Sequence, residues 1–355
     1  MSAPCMAIAG RPIGPDHPTY VVAELSANHG GELDRARRLV EAAAGAGADA
    51  VKLQTYTPDT LTLDCDAVSF RVGGGTAWDG RFLHELYAEA QTPWAWHPEL
   101  AALAAERGLH CFSTPFDASA VDFLEAQGVP AYKVASFELV DLPLLRRIGA
   151  TGRPVLVSTG MASLAEIEEA VATLRYAGDP PLALLRTNSG YPARPEEMDL
   201  RALPDLAQRF GTVVGLSDHT LDPAVAVTAV ALGARILEKH LTLRRADGGP
   251  DASFSVEPGE FADTVAAVRT AERALGEVRY GPSPREAASL PFRRSLFLVT
   301  DARAGDVLTP ELVRSIRPGA GLHPRHLEEV LGRRLARDVK RGTPLSWDLL
   351  ADEES

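Results

Sequence analysis

The feature that most restricts the fold of this chain is an eightfold alternation of short β-branched apolar runs with longer stretches rich in Ala and Leu. Repeats of this kind are typical of parallel sheets whose strands are joined by helices. We predict strands at 21–25, 50–54, 109–113, 131–135, 154–158, 182–186, 213–216 and 235–239. Eight such units predict an α/β fold in which the sheet closes into a (β/α)8 TIM barrel.

The stretches between these strands have the apolar spacing of helices with one buried face. We predict helices at 33–46, 98–107, 118–127, 164–177, 223–232 and 260–275. Gly47 and Gly108 stand just before the second and third strands, where a helix is expected to end. A doubly wound open sheet is the rival architecture. Eight units without a glycine-rich dinucleotide-binding motif favour the barrel over it.

Two segments depart from this alternation. Residues 56–86, which include the glycine run 73–75, are too many for a simple strand-to-helix connection, so we predict a functional loop on the active face. After Gly276 the chain becomes a linker punctuated by Gly and Pro and then a series of short runs with turns. We therefore predict a catalytic barrel at 1–276, a linker at 277–291 and a small, mostly β domain at 292–355.

Composition and charge restrict the partners and the compartment. The formal net charge of −12 argues against a nucleic acid or an anionic membrane as partner, because either needs a basic face. A few cationic side chains in a pocket can still bind an anionic metabolite. The three cysteines, an odd number without metal-ligand spacing, fit a reducing compartment. Since we find neither a signal sequence nor an apolar run near the roughly 20 residues that span a bilayer, we expect a soluble cytoplasmic protein.

Polar residues stand at the C-terminal end of nearly every predicted strand, which is where barrel enzymes have their active sites. Each of them alone could be structural, but the barrel axis directs all eight strand ends to one mouth. In strand order they are Glu24, Ser26, Asn28 and His29; Lys52 and Gln54; Ser113 and Thr114; Lys133, Ser136 and Glu138; Ser158; Ser189 and Tyr191; Ser217, Asp218 and His219; and Lys239 and His240.

His219 and His240 are predicted to share a divalent metal. They follow strands seven and eight, which are neighbours in a barrel although the two residues are far apart in sequence. A metal with few protein ligands and open positions can activate a carbonyl as a Lewis acid. Mn²⁺ is the preferred candidate, with Co²⁺, Mg²⁺ or Zn²⁺ also compatible. Two histidines that only bond carboxylates or backbone are the structural interpretation of the same pair.

Lys52 and Lys133 are predicted to place two positive charges in the same mouth, beside the hydroxyls of Ser136 and Ser158. This arrangement suits a compact substrate that carries phosphate and carboxylate. The competing interpretation is an aldolase that uses one lysine as a Schiff-base nucleophile, because an amine buried beside another has a lowered pKa. Glu24 and Glu138 are candidate acid/base residues.

The chain resembles the sialic acid synthase family over nearly its whole length. The matching stretches are AELSANHGG at Ala23, GADAVKLQTYTPDTLTLD at Gly47, STPFD at Ser113, YKVASFEL at Tyr132, STGMA at Ser158, GLSDHTL at Gly215, EKHLTL at Glu238, GGPDASFSVEP at Gly248, RRSLFLV at Arg293 and RPGAGLHP at Arg317. AELSANH, FDASAVDFL, FSVEP and GLHP are closer to the pseudaminic acid branch of the family than to its neuraminic acid branch.

This resemblance implies a barrel followed by an antifreeze-like (SAF, β-clip) domain, in a domain-swapped homodimer. It also implies an enzyme that condenses phosphoenolpyruvate with an acetamido-sugar. Glu24 would be the acid/base and Asp251 would orient or deprotonate, while His219 and His240 would hold the metal. The positions implied around the two substrates are Lys52, Gln54, Thr114, Lys133, Ser136, Glu138, Ser158, Ser189, Tyr191, Ser217 and, from the partner subunit, Arg317.

One departure from the family pattern bears on the substrate. The chain reads TNSGYP at 187–192, where pseudaminic acid synthases usually read CTSAYP; alignment on Tyr191 places Ser189 at the site and Asn188 beside it. A legionaminic or neuraminic acid synthase would differ only in its sugar pocket. A lysine aldolase and a carbohydrate-binding protein without activity are the two more remote hypotheses for this chain.

Overall fold

The structure is a computed structural model that describes residues 4–76 and 78–352. The first of its two compact units ends at Gly276. This unit contains an antiparallel hairpin of β1 (Met6–Ile8) and β2 (Arg11–Ile13). Its remaining strands are β3 (Tyr20–Glu24), β4 (Ala50–Thr55), β5 (His110–Pro115), β6 (Tyr132–Val134), β7 (Val155–Ser158), β8 (Leu182–Thr187), β9 (Val213–Asp218) and β10 (Ile236–His240).

Strands β3 to β10 form one closed parallel barrel in chain order. β10 closes it against β3, and His240 lies opposite Glu24 in that register. Each observed strand begins and ends within two residues of its prediction. The predicted (β/α)8 barrel is confirmed.

Helices connect the strands on the outside of the barrel. They are α1 (Leu33–Gly45), α2 (Pro58–Leu61), α3 (Leu83–Ala90), α4 (His97–Glu106), α5 (Ala118–Ala126), α6 (Leu142–Gly149), α7 (Leu164–Gly178), α8 (Ala202–Phe210), α9 (Pro223–Ala231) and α10 (Pro258–Leu275). Four helices are absent from the predicted set: α2 and α3, of which α2 and the start of α3 lie in the segment predicted as a loop, and α6 and α8, which have 8 and 9 residues. No helix in the described ranges is long and apolar enough to cross a membrane.

The hairpin, which is also absent from the predicted elements, explains why only one end of the barrel is polar. Met6, Ile8 and Ile13 share a buried cluster with residues from the first half of the barrel strands, among them Tyr20 and Ile236. Burial of an aliphatic side chain of this size stabilises the fold by about 1.5–3 kcal/mol. This packing fills the N-terminal end of the barrel, so the polar side chains gather at the C-terminal end.

The long segment after β4 leaves the C-terminal end of the barrel, as expected for a loop on the active face. It contains α2 and a bridge between Arg71 and Phe82 before it enters α3. The indole nitrogen of Trp78 donates a hydrogen bond to the carbonyl oxygen of Pro250 at 2.8 Å. The segment is therefore attached to the loop that follows β10.

The second compact unit begins at Glu277. Its elements are α11 (Pro284–Ala287), β11 (Ser295–Leu298), β12 (Val313–Ile316) and α12 (Leu327–Val330). β11 and β12 pair antiparallel, and most of the other β pairing consists of isolated bridges such as Ala302 with Val339. The predicted mostly β character therefore takes the form of short bridges around a small core that includes Leu296, Val330 and Leu345.

Candidate active site

Glu24 lies at the end of β3 with its side chain fully buried in the barrel mouth. Its Oε2 is 2.8 Å from the Nζ of Lys52, and its Oε1 accepts hydrogen bonds from the Ser26 amide at 3.0 Å and from Nε2 of Gln54 at 3.2 Å. Burial raises the pKa of Glu24 to about 7, although the charge of Lys52 opposes the change. A carboxyl group with this pKa can exchange a proton near neutral pH.

Glu238, a residue that is not among the predicted site residues, holds Lys52 from the other side. Its Oε1 is 3.1 Å from Nζ of Lys52 and accepts a hydrogen bond from Oγ of Ser217 at 3.0 Å. Burial alone would lower the pKa of Lys52, but Glu238 and Glu24 outweigh it and raise that pKa, so the ammonium stays charged. The sequence does hold a signal for Glu238, since it stands two residues before His240 and residues two apart face the same side of a strand.

Lys133 is buried at the centre of β6. Its Nζ donates to the carbonyl oxygen of Val134 at 2.8 Å and to Oγ of Ser158 at 2.6 Å. Burial lowers the pKa of Lys133 to about 8, with Glu238 opposing this effect and Lys52 adding to it. An ammonium has three donors, so Lys133 retains one for an anionic ligand.

Two more hydroxyls converge beside Gly160. A Cβ atom added at Gly160 would lie 2.5 Å from Oγ of Ser189 and 2.9 Å from Oγ of Ser136, so only glycine allows this approach. Oγ of Ser189 is buried and has no hydrogen-bond partner among the described residues. These hydroxyls and the ammonium of Lys133 have the donor chemistry of an anion site.

His219 and His240 are brought together, as the sequence predicts. Their ring centroids are 5.3 Å apart. Nδ1 of His219 donates to the Asn188 carbonyl oxygen at 2.7 Å, and Nδ1 of His240 is 3.2 Å from Oγ of Ser26. Burial lowers the pKa of His219 to about 4 and that of His240 well below its usual value, so both imidazoles are neutral. In His219 the bond at Nδ1 leaves the Nε2 lone pair available to a metal.

The carboxyl groups around Tyr191, which packs on His219, would balance the charge of a divalent cation held by the imidazoles. Within the described ranges no three His, Cys, Asp or Glu side chains form a ready metal cluster, so two imidazoles would leave the other coordination positions open. Burial raises the pKa of Asp251, and it raises that of Glu138 to about 7. Oε2 of Glu138 is buried without a partner among the residues described. Burial raises the pKa of the Tyr191 hydroxyl, and the charges of four carboxyl groups add to this effect: those of Asp251, Glu238, Glu24 and Glu138.

Three aromatic side chains, which we call the aromatic wall, stand beside the histidines: Trp78, Tyr191 and Phe254. The Tyr191 ring centroid is 4.4 Å from that of His219, and the Phe254 centroid is 5.1 Å from that of His240. Trp78 lies 5.4 Å from Tyr191 and 6.1 Å from Phe254 by the same measure. The mouth therefore has an apolar side next to its metal-binding groups.

Not every polar strand end points into the mouth. Lys239 and Asp218 pair with each other at 2.7 Å, fully buried, because they alternate with the inward-facing residues of β10 and β9. Asn28 donates to the Leu241 carbonyl oxygen at 3.0 Å, and His29 lies 3.2 Å from the Thr92 hydroxyl. Ser113, which precedes the inward-facing Thr114, has its hydroxyl 2.6 Å from that of Thr55. The expectation that all these residues converge is therefore wrong for these five, which hold local structure.

The remaining predicted positions are placed as follows. Oγ1 of Thr114 is 3.4 Å from Nζ of Lys52, so Thr114 borders the anion site. Oδ2 of Asp251 accepts a hydrogen bond from the Ala27 amide at 3.3 Å, next to the end of β3. Arg317 follows β12 in the second unit and is exposed.

Buried lysines suited to an anion, a carboxyl group that titrates near neutral pH and paired neutral imidazoles meet at one end of this barrel, which is the arrangement of a barrel enzyme that acts on an anionic substrate. The chain belongs to the NeuB family: residues 39–280 match that family, and residues 293–351 match the SAF domain. It is 41% identical to a pseudaminic acid synthase of Campylobacter jejuni over 93% of this chain and 96% of the relative. A pseudaminic acid synthase of Helicobacter pylori is 40% identical over 93% of this chain and 97% of the relative.

More distant relatives and solved structures agree with this assignment. An N,N'-diacetyllegionaminic acid synthase of Legionella pneumophila is 35% identical over 95% of this chain and 96% of the relative. The crystal structure of an N-acetylneuraminic acid synthetase from Leptospira borgpetersenii covers 81% of this chain and 95% of its own, with a TM-score of 0.72 and 29% identity. The crystal structure of the Bacillus subtilis spore coat polysaccharide biosynthesis protein spsE covers 99% of this chain and 100% of its own, with a TM-score of 0.65 and 30% identity.

Proposed function

We propose that this chain is a pseudaminic acid synthase. It would condense phosphoenolpyruvate with a 2,4-diacetamido-2,4,6-trideoxyhexose of the altrose type and water, to give pseudaminic acid and phosphate. The observation that carries the proposal is the meeting of an anion site around Lys52 and Lys133 with the imidazoles of His219 and His240. The choice of product rests on 40–41% identity to pseudaminic acid synthases, against 33–35% for legionaminic acid synthases.

Binding of phosphoenolpyruvate is assigned to the cationic side of the mouth. Lys52 and Lys133 would hold its phosphate and carboxylate groups and offset their charge. The hydroxyls that would complete the site are those of Thr114, Ser136, Ser158, Ser189 and Ser217. The pairing of Lys52 with Glu24 and Glu238 keeps its charge in place before the substrate arrives.

The chemical steps follow from this placement. His219 and His240 would hold a divalent metal, with Mn²⁺ our preferred choice, which supplies Lewis-acid activation of a carbonyl when bound. The methylene carbon of phosphoenolpyruvate bonds to the aldehyde carbon, and Glu24 gives a proton to the aldehyde oxygen. Water then adds to the former enol carbon and gives one proton to the Glu24 carboxylate. The remaining hydroxyl loses its proton to the departing phosphate, which leaves with the bridging oxygen by carbon–oxygen cleavage, and the ketone forms. Glu138, Asp251, Gln54 and Tyr191 are assigned to orienting the sugar.

The test is to incubate the purified full chain with phosphoenolpyruvate, Mn²⁺ and a panel of acetamido-hexoses. We expect phosphate release with the trideoxy diacetamido sugar, its loss with a chelator, and ¹⁸O from the bridging position recovered in phosphate. If none of the sugars in the panel causes phosphate release, the proposal is contradicted. That the protein works as a homodimer, with Arg317 of one subunit at the other's site, stays a prediction.

A Schiff-base aldolase is a second candidate, because the pKa of Lys133 is lowered to about 8 and a neutral amine is the nucleophile it needs. This hypothesis predicts that borohydride with pyruvate or sugar labels Lys133 and that a chelator leaves activity intact. The proposed synthase predicts neither result, so the two candidates separate in one experiment.

A further inference from the structure

Trp78 is a mouth residue to which the proposed chemistry gives no role. It lies in the long segment between β4 and α3, and its ring is half-buried against Tyr191 and Phe254. Its indole N–H is committed to the carbonyl oxygen of Pro250 at 2.8 Å. The indole is therefore held by its one donor and presents only carbon to whatever lies next to its remaining surface.

The position of Trp78 in the aromatic wall determines which part of a bound substrate it contacts. The other two members of the wall pack directly on His219 and His240, the residues assigned to the aldehyde end of the sugar. A sugar chain that extends from that point passes the wall, while the lysines and serines occupy the cationic side of the mouth. The wall thus offers hydrophobic contact to the sugar, and Trp78, which is half-buried like Tyr191, offers no hydrogen bond.

We infer that Trp78 is a specificity-determining residue that selects an amino sugar carrying deoxy and N-acyl methyl groups over a more hydroxylated one. A methyl group gains from leaving water for an aromatic face. A hydroxyl in the same place loses its water and finds no partner, since the indole N–H is already used. The inference rests on the proposed function and deepens it.

The test compares two aldehyde substrates, the trideoxy diacetamido hexose and N-acetylmannosamine, by kcat/KM for phosphate release. We expect Trp78→Ala to reduce the preference for the deoxy sugar about 10- to 100-fold. The KM for phosphoenolpyruvate should change by less than about threefold, because Trp78 touches none of the groups assigned to it. Trp78→Phe keeps an aromatic face but lacks the N–H, so it should retain most of the preference.

Trp94 provides a matched control. It also donates its indole N–H to a backbone carbonyl, that of Tyr56 at 3.1 Å, and packs on one aromatic ring, that of Phe123. It contacts no member of the aromatic wall in the described structure. Trp94→Ala should leave the preference unchanged, whatever it does to stability.

Three results would overturn the inference. If Trp78→Ala slows both sugars equally, the residue does not select between them. If Trp78→Phe loses the preference as fully as Trp78→Ala, the hydrogen bond to Pro250 and not the aromatic face is responsible. If the wild-type protein prefers the deoxy sugar and both variants keep that preference, the inference fails while the proposed function stands. A wild-type protein that releases phosphate with neither sugar contradicts the proposed function itself.

Discussion

Two buried lysine–carboxylate pairs on neighbouring barrel strands differ in what they leave unsatisfied. Lys239 and Asp218 form a closed group: the lysine also donates to the Thr220 carbonyl oxygen, and Oδ1 of Asp218 accepts from the amide and hydroxyl of Thr220. Lys52 and Glu24 are 2.8 Å apart, but Oε2 of Glu238, whose Oε1 also contacts Lys52, lacks a hydrogen-bond partner among the described residues. Buried polar atoms are normally satisfied, so the open group is the one that awaits a ligand.

The largest effect is expected at the open group. Glu24→Gln should lower kcat by about 10²- to 10⁴-fold, because it removes the proton that Glu24 exchanges. The same substitution should make the folded protein more stable above pH 7. Burial raises the pKa of Glu24 from near 4.5 to about 7, so above pH 7 the folded protein carries the full cost of a buried charge, and below pH 4.5 it carries none.

Two measurements check this pair of effects. Phosphate release gives kcat, and thermal melting at pH 8 and pH 5 gives the stability. We expect Glu24→Gln to melt higher than the wild type at pH 8 and to lose that advantage at pH 5. Near-normal turnover in the variant would contradict the acid/base role.

The next effect belongs to the closed group and affects stability only. Lys239→Met leaves Asp218 buried and unpaired, which should reduce the free energy of unfolding by about 3–5 kcal/mol. Urea unfolding measures this loss. Because Lys239 points away from the mouth, kcat of the folded fraction at low temperature should stay within about threefold of the wild type.

The matched control for the closed group is the double variant Lys239→Met with Asp218→Asn. It removes the unpaired charge and should recover part of the lost stability. A large fall in kcat for Lys239→Met would place Lys239 in the catalytic machinery and remove the contrast between the two groups.

The contrast also shows how far the sequence predicts the site. Alternation along β3 and β4 places Glu24, Lys52 and Gln54 correctly, because residues two apart on a strand face the same side. The same rule, applied to β10 from His240, selects Glu238 and rejects Lys239. Position at a strand end does not by itself make that distinction. Once one residue of a strand is known to face the barrel interior, the alternation of side chains along the strand is therefore enough to separate the residues that face the interior from those that face outward.

Other parts of the site have no periodic signal. Trp78 lies in a loop, where neither a period of 2 nor one of 3.6 tells which way a side chain points. Its attachment to Pro250 joins residues 172 positions apart in the chain. The packing of the hairpin into the barrel also depends on tertiary contacts, because its strands are only three residues long.

A smaller, pH-dependent effect is expected at Lys133. Burial lowers the pKa of Lys133 to about 8, so its ammonium is present below pH 8 and lost above it. The kcat/KM for phosphoenolpyruvate, which reports the free enzyme, should therefore fall about tenfold per pH unit well above pH 8. This fall adds to the one that Glu24, with its pKa of about 7, causes when it loses its proton. Lys133→Arg keeps its charge at all these pH values and should remove the Lys133 contribution while leaving that of Glu24, at some cost in geometry. A limb that persists unchanged in the variant would assign it to another group.

The smallest effect concerns Asn188 and Gly190, where the chain departs from the usual CTSAYP pattern. Oδ1 of Asn188 accepts from the Gly190 amide at 2.7 Å, and its Nδ2 donates to the Glu197 carbonyl oxygen at 3.1 Å. These bonds fix the carbonyl that orients His219. A Cβ atom at Gly190 would lie only 2.9 Å from Oδ1 of Asn188, so alanine there would displace the Asn188 side chain. Asparagine and glycine therefore belong together in this turn.

This coupling can be measured through the metal site. Asn188→Thr and Gly190→Ala should each weaken Mn²⁺ binding about tenfold, the low end of what such supporting contacts contribute. The double variant should bind no more weakly than either single one, because the second change removes a contact that the first has already lost. Calorimetric titration of Mn²⁺ gives the three affinities. If the two losses simply add, the residues act independently, and the departure from CTSAYP has no bearing on how His219 is held.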